Sequence, residues 1–389
     1  MHTFRFLRCL ALLVAWLAVV PLALAADDDP ERVAITRVMT DYFDGSAFAR
    51  PEQLRRAFHP DARLLLSRPG TAYWPLSVDE YVGRFSGEHA GTPTGRIGNI
   101  LAIDIEADTA TVKAEVLVPR QGARFVDLFL LRKLDARWQI VAKTATREPS
   151  QHRGDRVLFV LSSAKVHGAS TLPAGVSFGE VVQAWDAFRA AGLTVDFVSP
   201  EGGAAPINVA EAGEFRSRFY DADLMYALAH TATPSQIDPA RYRAVYFVGG
   251  SNAIYGVPAD SRLQDIATHV YERNDGVVSA VCHGTAGLAN LRLSDGRYLV
   301  GGKRVSGYPE EFERQDAPYF REFPFLIRKT IESRGGTFLT SARDQAYVVV
   351  DGRVVTGQNH LSARQVAEAV VDILRRTADD RQGRDAAKR

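Results

Sequence analysis

Cysteine is nearly absent: the 389 residues contain only Cys9 and Cys282. Two cysteines cannot build a disulfide framework or a four-thiol zinc site. There is no GxxxxGK[ST] loop, no HExxH and no paired-cysteine pattern, so phosphate-cradle chemistry and the common zinc hydrolases are excluded. His89, His167, His230 and His269 are scattered without ligand spacing, and no metal is expected. Neither sign of charge dominates, with 47 Lys+Arg against 46 Asp+Glu and a formal net charge of +1. That balance argues against a nucleic-acid partner. What is abundant is apolar material, 46% against 24% charged, which rules out a mainly disordered chain. The length suits about two domains.

Arg5 and Arg8 precede a run without charge, Cys9 to Ala25, that ends in Ala23-Leu24-Ala25 just before Ala26 and Asp27 to Asp29. The run is shorter than the ~20 residues needed to span a bilayer, and Pro21 interrupts it. Residues 1–25 therefore read as a secretory signal cut before Ala26, with the mature protein periplasmic or secreted and in no stable membrane association. Removing the signal shifts the formal charge from +1 to −1. Cys282 then becomes the only thiol, and a lone thiol kept in an oxidising space points to use.

Residues 30–149 read as a first folded unit. Ile35, Val38, Met39, Tyr42 and Phe43 recur at helical spacing, while Val112, Ala114, Val116 and Val118 alternate as in a half-buried strand. Ser77 and Glu80 fit a capping box, and Phe125 to Leu134 and Trp138 to Lys143 read as strands joined around Asp135-Ala136-Arg137. The expected order is helices, then a meander. His59 with Asp61 could form an acid/base pair, but His59-Pro60-Asp61 is also a turn signal. Asp61, Asp127 and Lys143 could face a pocket or lie on a solvated sheet face.

The stretches FHPDARLLL (58–66), LSVDEYVGRF (76–85) and FVDLFLLRKLDARWQIVAKTATREP (125–149) resemble the lumazine-binding-like branch of the SnoaL/nuclear transport factor fold. The resemblance implies an α+β cone, a curved sheet closed by helices, and a homodimer.

The polar stretch Arg147 to Asp155 ends the first unit, and strand and helix patterns alternate over 156–377. Val157 to Leu161, Thr194 to Val198, Ala244 to Val248 and Val277 to Val281 are short apolar runs of the kind buried in a parallel sheet. Helical stripes containing Val181, Trp185 and Phe188, then Phe325 to Ile331, then Val366 to Leu374 accompany them. These imply a doubly wound, mostly parallel α/β sandwich of flavodoxin-like type. Residues 378–389 read as a flexible tail.

In such sheets reactive groups gather where strands end and helices begin. Strand Val277 to Val281 runs straight into Cys282-His283-Gly284, which places the thiol on a sharp strand-to-helix turn, a nucleophile-elbow arrangement. There the sulfur should be exposed and its pKa lowered by the helix start; a buried structural cysteine is the alternative. Gly249-Gly250, ending another strand, could turn backbone N–H groups toward an oxyanion. Glu180 has two possible roles, as the far side of a Ser177–Glu180 capping box or as an acid meeting the sulfur, with burial raising its pKa.

AGVSFGEVVQAWDAFRAAGLTVDFVSPEGG (174–203), VYFVGG (245–250), VSAVCHGTAGL (278–288), GKRVSGYPEEFE (302–313) and VVVDGRVVTGQNHLSARQVAEAV (348–370) together resemble the ThiJ/PfpI superfamily, which is class I glutamine amidotransferase-like, and especially its chaperone/glyoxalase III branch. The resemblance implies that Glu180 contacts Cys282, that the Gly250 and His283 amides form the oxyanion site, and that a third acidic partner falls at Glu310 or Glu311, with Glu311 taken as the catalytic one. Where the branch carries histidine and glycine after its paired glycines, this chain has Ser251 and Asn252. Ser251 can donate a hydrogen bond to substrate but cannot titrate near neutral pH.

The implied activity is cofactor-free conversion of a small reactive carbonyl, methylglyoxal to lactate, through Cys282. The alternatives are a stress or redox-sensing, chaperone-like binding protein and an amide or isonitrile hydrolase using the same thiol.

Overall fold

A computed structural model describes residues 29–68, 70–150 and 154–387 of the chain; the signal assigned to residues 1–25 lies outside the described residues. The first half begins with helices α1 (Pro30–Ala47) and α2 (Pro51–Ala57), strands β1 (Phe58–Arg68) and β2 (Thr71–Ser77), and helix α3 (Val78–Gly83). Four long strands follow, β3 (Ile97–Glu106), β4 (Thr109–Val118), β5 (Ala123–Leu134) and β6 (Arg137–Pro149). The sheet order is β2-β1-β6-β5-β4-β3, with β1 parallel to β6 and the other neighbours antiparallel. The anticipated capping box at Ser77 and Glu80 opens α3.

Three expectations for this half need correction. A strand pair lies between the helices ahead of the meander, and His59-Pro60-Asp61 belongs to β1, not to a turn; the pairing of β1 with β6 shifts register between Phe58 and Arg63. His59 and Asp61 are 3.9 Å apart, and the Asp61 carboxylate is open to solvent. Asp127 and Lys143 are not on a solvated face: they form an ion pair of 3.0 Å whose side chains are 1% and 3% exposed. Tyr42 donates a 2.8 Å hydrogen bond to Asp127, and the Lys143 ammonium lies 5.7 Å from the Tyr81 and Phe129 ring centroids. A bulge explains the inward turn of Lys143. Pairing of β5 with β6 skips Val141, so the alternation that buries Trp138 and Ile140 changes parity and buries Lys143 as well.

The second half comprises β7 (Arg156–Val160), α4 (Phe178–Ala190), β8 (Thr194–Val198), α5 (Ala222–Ala229), β9 (Ala244–Phe247), α6 (Ser261–Glu272) and β10 (Val277–Val281). After the short α7 (Ala286–Ala289) come β11 (Arg304–Val305), α8 (Ile327–Ser333), β12 (Thr337–Phe338), β13 (Val348–Asp351), β14 (Val354–Gly357) and α9 (Ala363–Ala387). The main sheet runs β13-β14-β10-β9-β7-β8, parallel except for β13 at its edge. Its two faces carry separate apolar cores. Val181, Trp185 and Phe188 of α4 and Val366 and Val370 of α9 cover one, and Leu263, Ile266 and Val270 of α6 with Ile327 and Ile331 of α8 cover the other. This is the doubly wound sandwich expected, because strands buried on both faces need helices above and below. α9 continues to Ala387, so the backbone of 378–387 is helical where a flexible tail was expected.

The halves are joined by Arg32 donating to the Tyr226 hydroxyl (2.9 Å), Lys113 to Asp223 (2.7 Å) and Arg156 to Asn99 (3.3 Å). A cleft of about 1020 Å³ opens between them, but Glu180, Cys282 and His283 do not line it. The order of strands reverses direction between β7 and β9, and in such sheets ligands bind beyond the carboxyl ends of the strands at that point.

Candidate active site

Four segments meet beyond the carboxyl ends of β7, β9 and β10. Cys282 directly follows β10 with φ of 55°, a left-handed backbone that L-residues adopt only under constraint. A four-residue 3-10 turn, Cys282–Thr285, follows it, and α7 is only four residues long. Gly249, which follows β9, is where the approach is closest. A Cβ there would stand 2.5 Å from Glu180 Oε2 and 2.8 Å from Cys282 Cβ, so only glycine lets the three come together. α4 begins with Ser177 as N-cap, yet its side chain makes no cap hydrogen bond. Glu180 instead turns into the site, where the Gly249 N–H donates to its Oε2 at 2.8 Å and Cys282 Sγ shares a hydrogen bond with it.

Both members of this pair are held toward their protonated forms. Burial pushes the Glu180 carboxyl up to about 7, against the hydrogen bonds from Cys282 and Gly249 and the charge of His283. Burial also pushes the Cys282 thiol well above its ordinary value, and the Glu180 charge adds to it, opposed by the His283 N–H on the sulfur. The expectation of an exposed, low-pKa sulfur is therefore corrected, since Cys282 is 7% exposed. A single 3-10 turn leading into one turn of α-helix has too little aligned dipole to offset that burial. The consequence is a thiol and an acid in contact, with a shared proton poised near neutrality.

His283 lies beside the sulfur, its Nδ1 3.5 Å from Sγ, and its Nε2 meets Glu313 Oε1 at 2.6 Å. The acidic partner is thus Glu313, neither Glu311 nor Glu310. Glu310 accepts from the Arg328 and Lys329 N–H groups at the start of α8, and Glu311 pairs with the Arg328 side chain. The 3-10 turn Glu310–Phe312 sends its own two acids toward α8 and leaves the next residue facing His283. Burial pushes Glu313 up, but the hydrogen bonds from His283 and Tyr319 outweigh it and hold the carboxyl below its ordinary range.

Sequence reasoning did not single out the aromatic wall. Tyr308 packs on His283 with ring centroids 4.8 Å apart, and Tyr319 donates to Glu313 Oε2 at 2.8 Å. Both lie in a long irregular segment between β11 and α8, where there is no periodicity to read. Gly250, with φ of 115°, opens the turn after Gly249, and Ser251 beside it is partly exposed. Asn252 is fully buried and ties that turn to the loop after β7 by donating to the Ala164 carbonyl at 3.0 Å. The same loop brings an imidazole near the site. His167 packs 5.2 Å from the Tyr319 ring and is held below its ordinary pKa by burial and by the charge of His283. Among the described residues no cluster of His, Cys, Asp or Glu is arranged to hold a metal.

Each half of the chain matches known proteins. Residues 171–373 match the DJ-1/PfpI family model, and residues 30–145 match a model of lumazine-binding-like domains. The glutathione-independent glyoxalase HSP31 of Saccharomyces cerevisiae is 30% identical over 224 residues, covering 54% of this chain and 91% of its own length. Glyoxalase 3 of Candida albicans is 31% identical over 209 residues, covering 51% of this chain and 88% of its own. The crystal structure of the glyoxalase III of Candida albicans superposes with a TM-score of 0.53 at 28% identity, over 57% of this chain and 98% of that one. By the match to its α/β half, the chain belongs to the DJ-1/PfpI family.

Proposed function

We propose that the protein is a glutathione-independent glyoxalase that isomerises and hydrolyses a small 2-oxoaldehyde to its 2-hydroxy acid. The observation carrying this is the buried contact of Cys282 with Glu180, whose carboxyl is pushed up to about 7 by burial. The sulfur adds to the aldehyde carbon, and the displaced π pair goes to oxygen, which takes a proton from the pair to give a hemithioacetal. Glu180 then removes the proton from that carbon and returns one to the neighbouring carbon, while the hydroxyl proton on the first oxygen passes to the second, leaving the thioester of a 2-hydroxy acid. Water cleaves the thioester, releasing the hydroxy acid and restoring the thiol. Carbon and hydrogen balance without an oxidant, reductant or cofactor. In this reading the Gly250 and His283 amides hold the oxygen.

The 7% exposure of Cys282 favours a slender substrate over a protein-borne adduct. It also weighs against a peroxide sensor, which needs a low-pKa, accessible thiolate. The test is to incubate purified protein with methylglyoxal in the absence of glutathione, alongside amides and isonitriles. Lactate formation is the expected result; turnover of amides or isonitriles alone would transfer the site to hydrolysis.

Export and pairing of two copies belong to the same proposal. Export is supported by the pattern of residues 1–25, and protein recovered outside the cytoplasm should begin at Ala26 on N-terminal sequencing. A start at Met1 would end that part of the proposal.

A further inference from the structure

Tyr308 links the Cys282–His283 turn to a cation at the surface. Its N–H donates to the Cys282 carbonyl at 3.2 Å, its ring packs on His283, and its hydroxyl accepts from Arg343 Nε at 3.2 Å and Nη2 at 3.1 Å. Two donors on one oxygen fix the guanidinium plane, although Arg343 itself is exposed. The acids it senses, Asp344 and Glu313, act on it only through space, and Glu313 is already held by His283 and Tyr319. A second cation, Arg314, lies 5.8 Å from the Tyr319 ring centroid on the neighbouring segment. An oriented guanidinium with donors to spare and no carboxylate among the described residues in ion-pair contact is suited to a ligand carboxylate.

We propose that Arg343 is a carboxylate-binding subsite at the mouth of the Cys282 site, and that the substrate is a small reactive carbonyl carrying a carboxylate several bonds from its aldehyde. The proposal rests on Cys282 being the carbonyl-binding nucleophile, and it names the substrate class. Methylglyoxal offers the guanidinium nothing, and the carboxylate of its product forms at the sulfur, not at the mouth. A tyrosine side chain separates Arg343 from the His283 turn, so the matching ligand carries its charge at the far end.

The pair 4,5-dioxopentanoate and 2-oxopentanal differs only in a terminal carboxylate against a methyl group. The wild type should favour the anion in kcat/KM by about tenfold, the range of one charge-assisted contact near solvent, and the preference should shrink as salt is raised. Arg343→Gln should remove the preference and Arg343→Lys should keep part of it, whereas Arg37→Gln, which makes the same charge change on α1, should leave it in place. Equal ratios in wild type and Arg343→Gln, or equal losses in Arg343→Gln and Arg37→Gln, would overturn the subsite. Calorimetric titration of Cys282→Ser protein, with and without Arg343→Gln, reads the same preference without turnover. An inactive wild type that still binds the anion through Arg343 would sink the glyoxalase and leave the subsite standing; no difference in binding would sink the subsite.

Discussion

Cys282→Ser leaves a folded protein whose turnover of methylglyoxal falls by about 10⁴-fold or to background, and Glu180→Gln falls by about 10²- to 10⁴-fold, the usual cost of losing a positioned acid or base. Serine keeps the elbow and its hydrogen bonds but offers a hydroxyl that no group nearby can ionise. Glutamine keeps the contact with the Gly249 N–H but cannot carry a proton between carbons. The two variants part company in stability. In the folded protein Glu180 titrates at about 7, above its ordinary 4.5, so the folded state binds more protons than the unfolded chain between those values. The contribution is fully present below pH 4.5 and is lost as pH rises through 7. At pH 8 the wild type therefore carries a burden on the order of 3 kcal/mol that Glu180→Gln relieves. Thermal unfolding should show Glu180→Gln above the wild type at pH 8 and level with it near pH 4.5. A Cys282→Ser enzyme keeping a tenth of its turnover would remove the nucleophile, and a Glu180→Gln advantage independent of pH would remove the shared proton.

A site that costs stability explains why the sequence discloses some of it and hides the rest. Cys282 is legible because an apolar five-residue strand runs directly into Cys-His-Gly, and a strand-to-helix turn must present the side chain at that position. Glu180 is legible only as an alternative, because its position after Ser177 fits a cap equally well; the capping contact is absent because the carboxyl is drawn to Gly249 and the sulfur. Glu313 is the third glutamate within four residues, and only the 3-10 turn distinguishes it from Glu310 and Glu311. The direction of the thiol shift depends on how deeply the sulfur is buried, a quantity that neither composition nor spacing contains. In the cone the alternation of Val112 and Ala114 with the less buried Thr111 and Lys113 is plain in β4. The inward turn of Lys143 is not, since one unpaired residue reverses the parity of everything beyond it.

That buried lysine gives the largest effect on stability outside the site. Lys143→Met should cost about 3–5 kcal/mol, because it leaves the Asp127 carboxylate in the cone without the ammonium that compensates it. The Tyr42 hydroxyl at 2.8 Å cannot replace a full charge. Met fills the volume of the lysine stem, so the loss reports the stranded charge and not a cavity. The double replacement Asp127→Asn with Lys143→Met should recover most of the loss, since an amide oxygen still accepts from Tyr42 and neither member of the pair is left charged. Urea unfolding of the full chain measures both, and methylglyoxal turnover of the double variant should stay within about twofold of wild type because neither residue approaches Cys282. A single variant that costs under about 1 kcal/mol, or a double variant no better than the single, would mean that water or the nearby Arg96, whose charge also acts on Asp127, already shields that carboxylate and that the pair is not what holds the cone interior together.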